Sequence, residues 1–419
     1  MKYPRTGVVA LLAIATAVTA PLAVSAAEPE VAQPVIDLPD VTAPTVGGAP
    51  NEAELQDLQA IAKQSGMSLE AAIERYAWND NFALAVAEIR EAAPEAFTMA
   101  EIVDANTAWV AFAGDVPADA RDILARFNRA HGGVSVDVQA DWGYTATSLE
   151  QAIEEVHYAV LDAPGVRDAS TTFDSATGGI TSTVVLANDA STSAIVDLQA
   201  LSIKSLASAR GGISTKIATA VTVSNQPVLG GDDSSSYHHG GEALSTCSSG
   251  FGTKNVAGAR GISTAGHCSN SQSDDGSSLT YRAGHVGTHG DFQWHTGPKP
   301  ETDDFYAGSS SSTEVNLRDV SARGTPVVGQ SLCKNGKNGH QDCQGVRKIN
   351  VCYSGMCNLV QMNARLAESG DSGGPVYSGN TAYGLHQGWH YDPVWPFDRD
   401  LFSRADRIDN ALGITVAIS

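Results

Sequence analysis

Apolar residues are distributed along this chain in three different ways. Residues Val8 to Val24 are largely apolar, rich in Ala and Thr, and preceded by the basic Lys2 and Arg5. Val24-Ser25-Ala26 then supplies small residues before the polar Ala27-Glu28-Pro29-Glu30. This layout predicts a secretory signal peptide over 1–26 and an exported, extracellular product. The stretch is short for a membrane span, so no stable membrane anchor is expected.

The second pattern begins after a Pro-rich leader at 28–50, which reads as flexible. Leu55, Leu58 and Ile61, then Leu69, Ile73 and Tyr76, recur at three- and four-residue intervals and predict amphipathic helices. Trp109–Ala113 and Val134–Val138 read as strands around a helix near 118–130. A second unit has a helix near 148–161, a strand near 166–173, a turn at Thr177-Gly178-Gly179 and a strand at 181–187. A helix near 193–209 and a strand near 217–223 complete it. Helices alternating with strands, with no cysteine, predict an α/β or α+β region of about 200 residues.

Around Asn225 the helical periodicity stops. Gly and Ser become frequent, and short strand-like runs are separated by turn signals, a pattern that predicts an all-β sandwich or barrel. One late helix is expected at Asp400–Leu412. The segment Asp232–Gly241 is polar and reads as a linker open to processing; His238 and His239 could bind a metal, but a lone pair in such a linker reads as solvated. Ser271–Ser278 and Gly308–Ser312 read as loops.

Charge follows the same division. The formal net charge is −21, with 28 acidic against 10 basic residues in 27–225 and 19 against 14 in 226–419. An acidic chain without a basic footprint is not a nucleic-acid binder. All six cysteines lie in the second half, at 247, 268, 333, 343, 352 and 357. In an exported chain an even, clustered set reads as disulfides. Sequence order favours Cys247–Cys268, Cys333–Cys343 and Cys352–Cys357, with other connectivities formally open. Zinc is disfavoured, because Cys352-Tyr-Ser-Gly-Met-Cys357 is too widely spaced for a knuckle and has no second ligand pair.

Two short strings carry chemistry. Gly370-Asp-Ser-Gly-Gly-Pro375 sets a serine among residues small enough for a strained turn, and Thr264-Ala-Gly-His-Cys268 sets a histidine beside a cysteine. A hydroxyl nucleophile with a separate general base is what acyl transfer requires. The third member would be a buried acid. The candidates are Asp291, in Gly290-Asp-Phe-Gln-Trp-His295, where a turn leads into an alternating aromatic stretch, and Asp304, in the similar context Asp303-Asp-Phe-Tyr306.

Taken in order, five segments resemble the secreted bacterial chymotrypsin-fold proteases of the streptogrisin and α-lytic type. Gly240–Leu244 with Cys247–Phe251 is similar to their mature amino terminus and first strand, and Thr264–Cys268 to their general-base segment. Cys333–Cys343 resembles a disulfide-closed hairpin, Gly370–Pro375 the nucleophile loop, and Tyr383–Gly388 the strand walling the primary specificity pocket. The resemblance implies an all-β catalytic domain at 226–419, built as two six-stranded antiparallel β-barrels with a C-terminal helix. An α/β (α+β) pro-region at 27–225 would precede it, acting as intramolecular chaperone and inhibitor. It also implies a monomeric serine endopeptidase zymogen that needs no cofactor and no metal and acts on polypeptides. Ser372 would be the nucleophile, His267 the general base and Asp291 the orienting acid, with the N–H groups of Gly370 and Ser372 as oxyanion hole. Asp371 would pair with a cationic or polar partner on maturation without being catalytic.

The pocket departs from the family. Many relatives carry a cysteine six residues before the serine; Leu366 stands there, so Cys352–Cys357 is expected to staple a different loop. His386 stands where glutamate-specific relatives also have a histidine, whereas Gln387 and Trp389, around Gly388, replace the usual Ser and Gly. A preference for Glu before the scissile bond and one for a medium-sized apolar residue both fit. Two rivals have less support: an inactive protease-like binding protein, against which the intact motifs argue, and a metal-dependent hydrolase, for which no His-Glu-x-x-His occurs.

Overall fold

The computed structural model describes residues 50–186, 214–219, 237–308, 316–339, 341–392 and 397–419. Signal peptide, leader and the 193–209 helix lie outside these residues, as does most of the 217–223 strand. Each early helix starts where its sequence provides a cap. Helix α1 (Glu52–Ser65) opens on an Asn51–Glu54 capping box and stops at Gly66 in the left-handed region. The Ser68 side chain caps α2 (Leu69–Tyr76). Helices α3 (Asn79–Ala92), α4 (Ala118–Ala130) and α5 (Ala146–Leu161) follow.

Strands β1 (Phe97–Ile102), β2 (Thr107–Phe112) and β3 (Ser135–Gln139) make a three-stranded sheet, β3 lying parallel to β2. Strands β4 (Val166–Asp174), β5 (Gly179–Leu186) and β6 (Ser214–Thr219) make the edge of a much larger one. The sequence pattern does not assign α3 or β1. Helix α3 buries Phe82, Ala83, Val86 and Ile89, and its many alanines blur the period.

The second half is strand-rich. β7 (His238–Gly240), β8 (Gly252–Asn255), β9 (Arg260–Thr264), β10 (Ser273–Asp274), β11 (Ser277–Ser278), β12 (Thr280–Gly287), β13 (Gly290–Thr296), β14 (Glu301–Tyr306), β15 (Leu317–Asp319) and β16 (Ala322–Arg323) come first. Then come β17 (Ser331–Lys334), β18 (Asp342–Tyr353), β19 (Met356–Met362), β20 (Pro375–Ser378), β21 (Thr381–Asp392), β22 (Phe397–Arg404) and β23 (Ile414–Val416). One sheet runs β12-β13-β9-β8-β23; the larger runs β17-β20-β21-β22-β19-β18 and continues into β4-β5-β6. The joint is a backbone ladder, with Cys352 opposite Thr171 and Tyr353 opposite Ser170.

Three expectations need correction. The helix expected from Asp400 begins only at α6 (Ile408–Leu412), because Leu401, Phe402 and Ser403 are buried as a strand between β19 and β21. Ser271–Ser278 contains the β10–β11 hairpin and is not wholly loop. His238 and His239 are buried, not solvated, since β7 packs parallel to β14. Among the described residues no helix is long and apolar enough to cross a membrane.

The two halves share cores. Phe82, Ile89, Val110 and Leu124 pack in one cluster with Leu332, Val360, Tyr383 and Phe402. Buried ionic contacts accompany them. Asp57 accepts from Arg318 at 2.9 and 3.0 Å and from the Gly379 N–H at 2.7 Å. Asp80 accepts from the hydroxyls of Tyr383 at 2.5 Å and Thr381 at 3.0 Å. Burial pushes Asp57 up to about 6 despite Arg318, and Asp80 up to about 7 despite its two hydroxyl donors.

An acid whose folded pKa is raised takes up a proton on folding. Its contribution is therefore most favourable below about pH 4 and is lost as pH climbs through the raised value. Asp80→Asn should stabilise the chain by a few kcal/mol at pH 8 and leave it unchanged at pH 4, as read by denaturant unfolding. Equal effects at both pH values would contradict the assignment.

Candidate active site

The site is assembled from three separate segments. Pairing of β13 with β9 sets Gln293 opposite Thr264, which brings the start of β13 under the loop that follows β9. His267 lies on that loop, and Asp291 at the start of β13 is fully buried below it. His267 donates its backbone N–H to Asp291 Oδ1 at 2.8 Å, and its Nδ1 meets Asp291 Oδ2 at 2.6 Å. The other ring nitrogen, Nε2, is 3.1 Å from Ser372 Oγ. Asp291 is fixed in turn by its own N–H, which donates to Ser403 Oγ at 2.9 Å.

Burial pulls the His267 imidazolium down, but the hydrogen bond and charge of Asp291 outweigh it, so its pKa ends above the ordinary value. Asp304, the rival acid, sits elsewhere, on β14 opposite Asp319.

The nucleophile loop is held by its neighbours more than by its own residues. Gly370 has φ +103° and Gly373 φ +88°, both in the region that favours glycine. A Cβ on Gly373 would come within 2.1 Å of Thr264 Oγ1 and 2.4 Å of the Ser248 carbonyl. The Gly373 N–H donates to the His386 carbonyl at 2.7 Å, and the Ser248 N–H to the Ser372 carbonyl at 2.8 Å.

Asp371 points away from His267. Its fully buried carboxylate meets Lys334 Nζ at 2.7 Å and takes the N–H groups of Asn338, Gly339 and Glu368 at 2.8, 2.8 and 2.9 Å. Burial alone would raise its pKa; Lys334 and these N–H donors hold it below the ordinary value. The resemblance implies a cationic or polar partner for Asp371 on maturation; in the full chain the partner is Lys334. Lys334 follows Cys333, and the strand pairing at Cys333–Cys343 brings it there.

The three disulfides are Cys247–Cys268, Cys333–Cys343 and Cys352–Cys357. The first ties the His267 loop to the segment before β8. The third closes the tip of the β18–β19 hairpin, where the halves meet. The segment that lacks a cysteine at Leu366 is held by Asp400 instead. Asp400 Oδ2 accepts from the N–H of Leu366 at 2.8 Å, the N–H of Ala367 at 3.2 Å and Gln344 Nε2 at 2.8 Å. Sequence reasoning missed Asp400 by placing it on a helix.

His386, Gln387, Gly388 and Trp389 lie along β21, beside the nucleophile. Ser372 Oγ is 3.4 Å from the Gln387 carbonyl. His386 is buried, its Nε2 has no partner among the described residues, and it lines a small cavity with Asp400, Lys334 and Met362. Burial holds its pKa below the ordinary value, with Asp400 pulling the other way. The Arg365 guanidinium stacks over the Trp389 ring at 3.6 Å and pairs with Asp398 at 2.9 Å.

No protein-family model matches the chain. Over 156 residues, 34% of this chain and 79% of the relative, it is 32% identical to glutamyl endopeptidase 2 of Streptomyces griseus. Over 167 residues, 36% of this chain and 92% of the relative, it is 32% identical to serine protease 2 of Streptomyces fradiae. Streptogrisin-A of Streptomyces griseus is 31% identical over 160 residues, 36% of this chain and 51% of that protein. At that identity and coverage the chain belongs to the chymotrypsin-fold serine proteases of bacteria, the family of the streptogrisins and glutamyl endopeptidases, and is a serine-type hydrolase of polypeptides.

Proposed function

We propose that the chain is a secreted zymogen with a leader at 1–26, a pro-region at 27–225 and a protease domain at 226–419, whose sheets close as two six-stranded barrels. One observation carries the reading. His267 stands between Asp291 and Ser372 at 2.6 and 3.1 Å. Ser372 Oγ attacks the scissile carbonyl carbon while its proton passes to His267 Nε2, and Asp291 stabilises the imidazolium. The N–H groups of Gly370 and Ser372 take the oxyanion, each worth about 2.7–4 kcal/mol in the transition state. His267 then protonates the leaving amine, and a water that it deprotonates releases the acyl group from Ser372. The chemistry needs no cofactor.

Residues 27–225 act as folding template and inhibitor of a monomeric enzyme. Two features support this: β4 completes the open edge of β18, and the cores of the two halves are continuous. A sheet protein of non-local pairings folds slowly, and a template lowers that barrier. Residues 226–419 refolded alone should stay inactive and should recover when residues 27–225 are added in trans. Full activity without them would contradict the template role.

The primary pocket accepts glutamate. The glutamyl endopeptidase similarity and the unpartnered Nε2 of His386 support this reading. Because the pKa of His386 is depressed in the free protein, binding a glutamate carboxylate draws a proton onto it, a charge that Asp400 stabilises. In a peptide library, cleavage after Glu should exceed cleavage after Leu by at least about tenfold, about 1.4 kcal/mol. That ratio should shrink as pH rises. Equal cleavage after Glu and Leu would sink the acidic-pocket reading.

A further inference from the structure

His238 opens β7 at the start of the catalytic half and is 1% exposed. Its Nδ1 is hydrogen-bonded to Asp274 Oδ2. A third buried group, Glu242, joins them, and one donor atom from each of the three lies within 4.8 Å of the others. Glu242 and Asp274 are 7% and 2% exposed, and each keeps one carboxylate oxygen, Glu242 Oε1 and Asp274 Oδ1, without a partner among the described residues. Nε2 of His238 points the other way, towards Gly297, where an added Cβ would sit 2.0 Å from it. Nδ1 is therefore the nitrogen that faces the carboxylates.

One cation stands beside this cluster. Lys299 pairs with Asp275 at 2.7 Å and more loosely with Asp274 Oδ2, at 3.8 Å. Glu242 Oε2 accepts the His239 N–H at 3.1 Å, and the Glu242 carboxyl also meets that of Asp274. Burial, and after it the neighbouring Asp274, push the Glu242 carboxyl well up. Two carboxyl groups brought together out of water oppose each other's ionisation, and a metal ion between them removes that cost.

We propose that His238, Glu242 and Asp274 hold a structural zinc ion, with water as the fourth ligand. One imidazole and two carboxylates form a donor set that suits zinc, whereas calcium takes oxygen alone. Zinc takes its ligands deprotonated, so its binding displaces the protons that the cluster holds. The ion ties β7 to the β10–β11 hairpin and thereby anchors the first strand of the catalytic half beside the Cys247–Cys268 loop. It takes no part in acyl transfer.

The test uses the full-length Ser372→Ala chain, which removes self-cleavage, stripped with a chelator and titrated separately with Zn²⁺, Mn²⁺ and Ca²⁺. Calorimetry and metal analysis after gel filtration should give one zinc per chain, with Kd below about 1 μM, and zinc should raise the unfolding midpoint. Glu242→Gln and, separately, His238→Gln should each weaken zinc binding by at least about tenfold. Two variants at different ligands keep the test intact if one of them misfolds. Absence of stoichiometric zinc, zinc binding unchanged in both variants, or calcium bound in preference to zinc would overturn the proposal.

Discussion

Ser372→Ala should lower turnover by about 10⁶-fold and, where processing is self-catalysed, leave the secreted product at full length. Removing Oγ takes away the atom that meets His267 Nε2 and forms the acyl ester, while the loop that carries it stays tied by Gly373 to His386 and by Ser248 to the Ser372 carbonyl. Folding should therefore be unchanged by circular dichroism. His267→Ala should cost about as much, and the double variant little more, because the two residues act as one unit. What remains, about 10³–10⁴ over water, comes from the oxyanion donors and substrate binding. A loss of less than about a hundredfold for Ser372→Ala would mean that another residue is the nucleophile.

Asp291→Asn should cost about 10⁴ in turnover with the geometry nearly intact. The carboxylate accepts twice from His267, at the backbone N–H and at Nδ1. An amide can accept from only one of these. If its NH₂ turns to Nδ1, the ring carries its proton on Nε2 and cannot accept one from Ser372. The pH profile should change too. Catalysis needs neutral His267, whose pKa is raised by Asp291, so activity rises with pH through that value. Without the aspartate charge the rising limb should move to lower pH while the plateau falls. Asp304→Asn is the control; it lies opposite Asp319 and should leave kcat near normal. The reverse ranking would transfer the orienting role to Asp304.

The nucleophile and base were legible in the sequence because each sits in a short string whose small residues let another segment approach closely, as the Gly373 contacts with Thr264 and Ser248 show. The acid was not settled locally. Asp291 and Asp304 both precede aromatic strands, and only the register of β13 on β9 puts one of them under His267. Asp400 shows the opposite failure. Its spacing from Ile408 and Leu412 fits a helix, yet tertiary pairing with β21 turns it into a strand residue that holds Leu366. His238 and His239 look like linker residues by composition; a parallel pairing with a strand some sixty residues on buries them. The fold class was written in local texture, whereas long-range register decided which polar residues meet.

The most direct test of the account is intact-mass analysis of the secreted protein after exposure to a fluorophosphonate. One adduct per chain is expected, located on Ser372 by peptide mapping and lost in His267→Ala. An unlabelled but folded protein, or an adduct that persists when Ser372 is replaced, would contradict it.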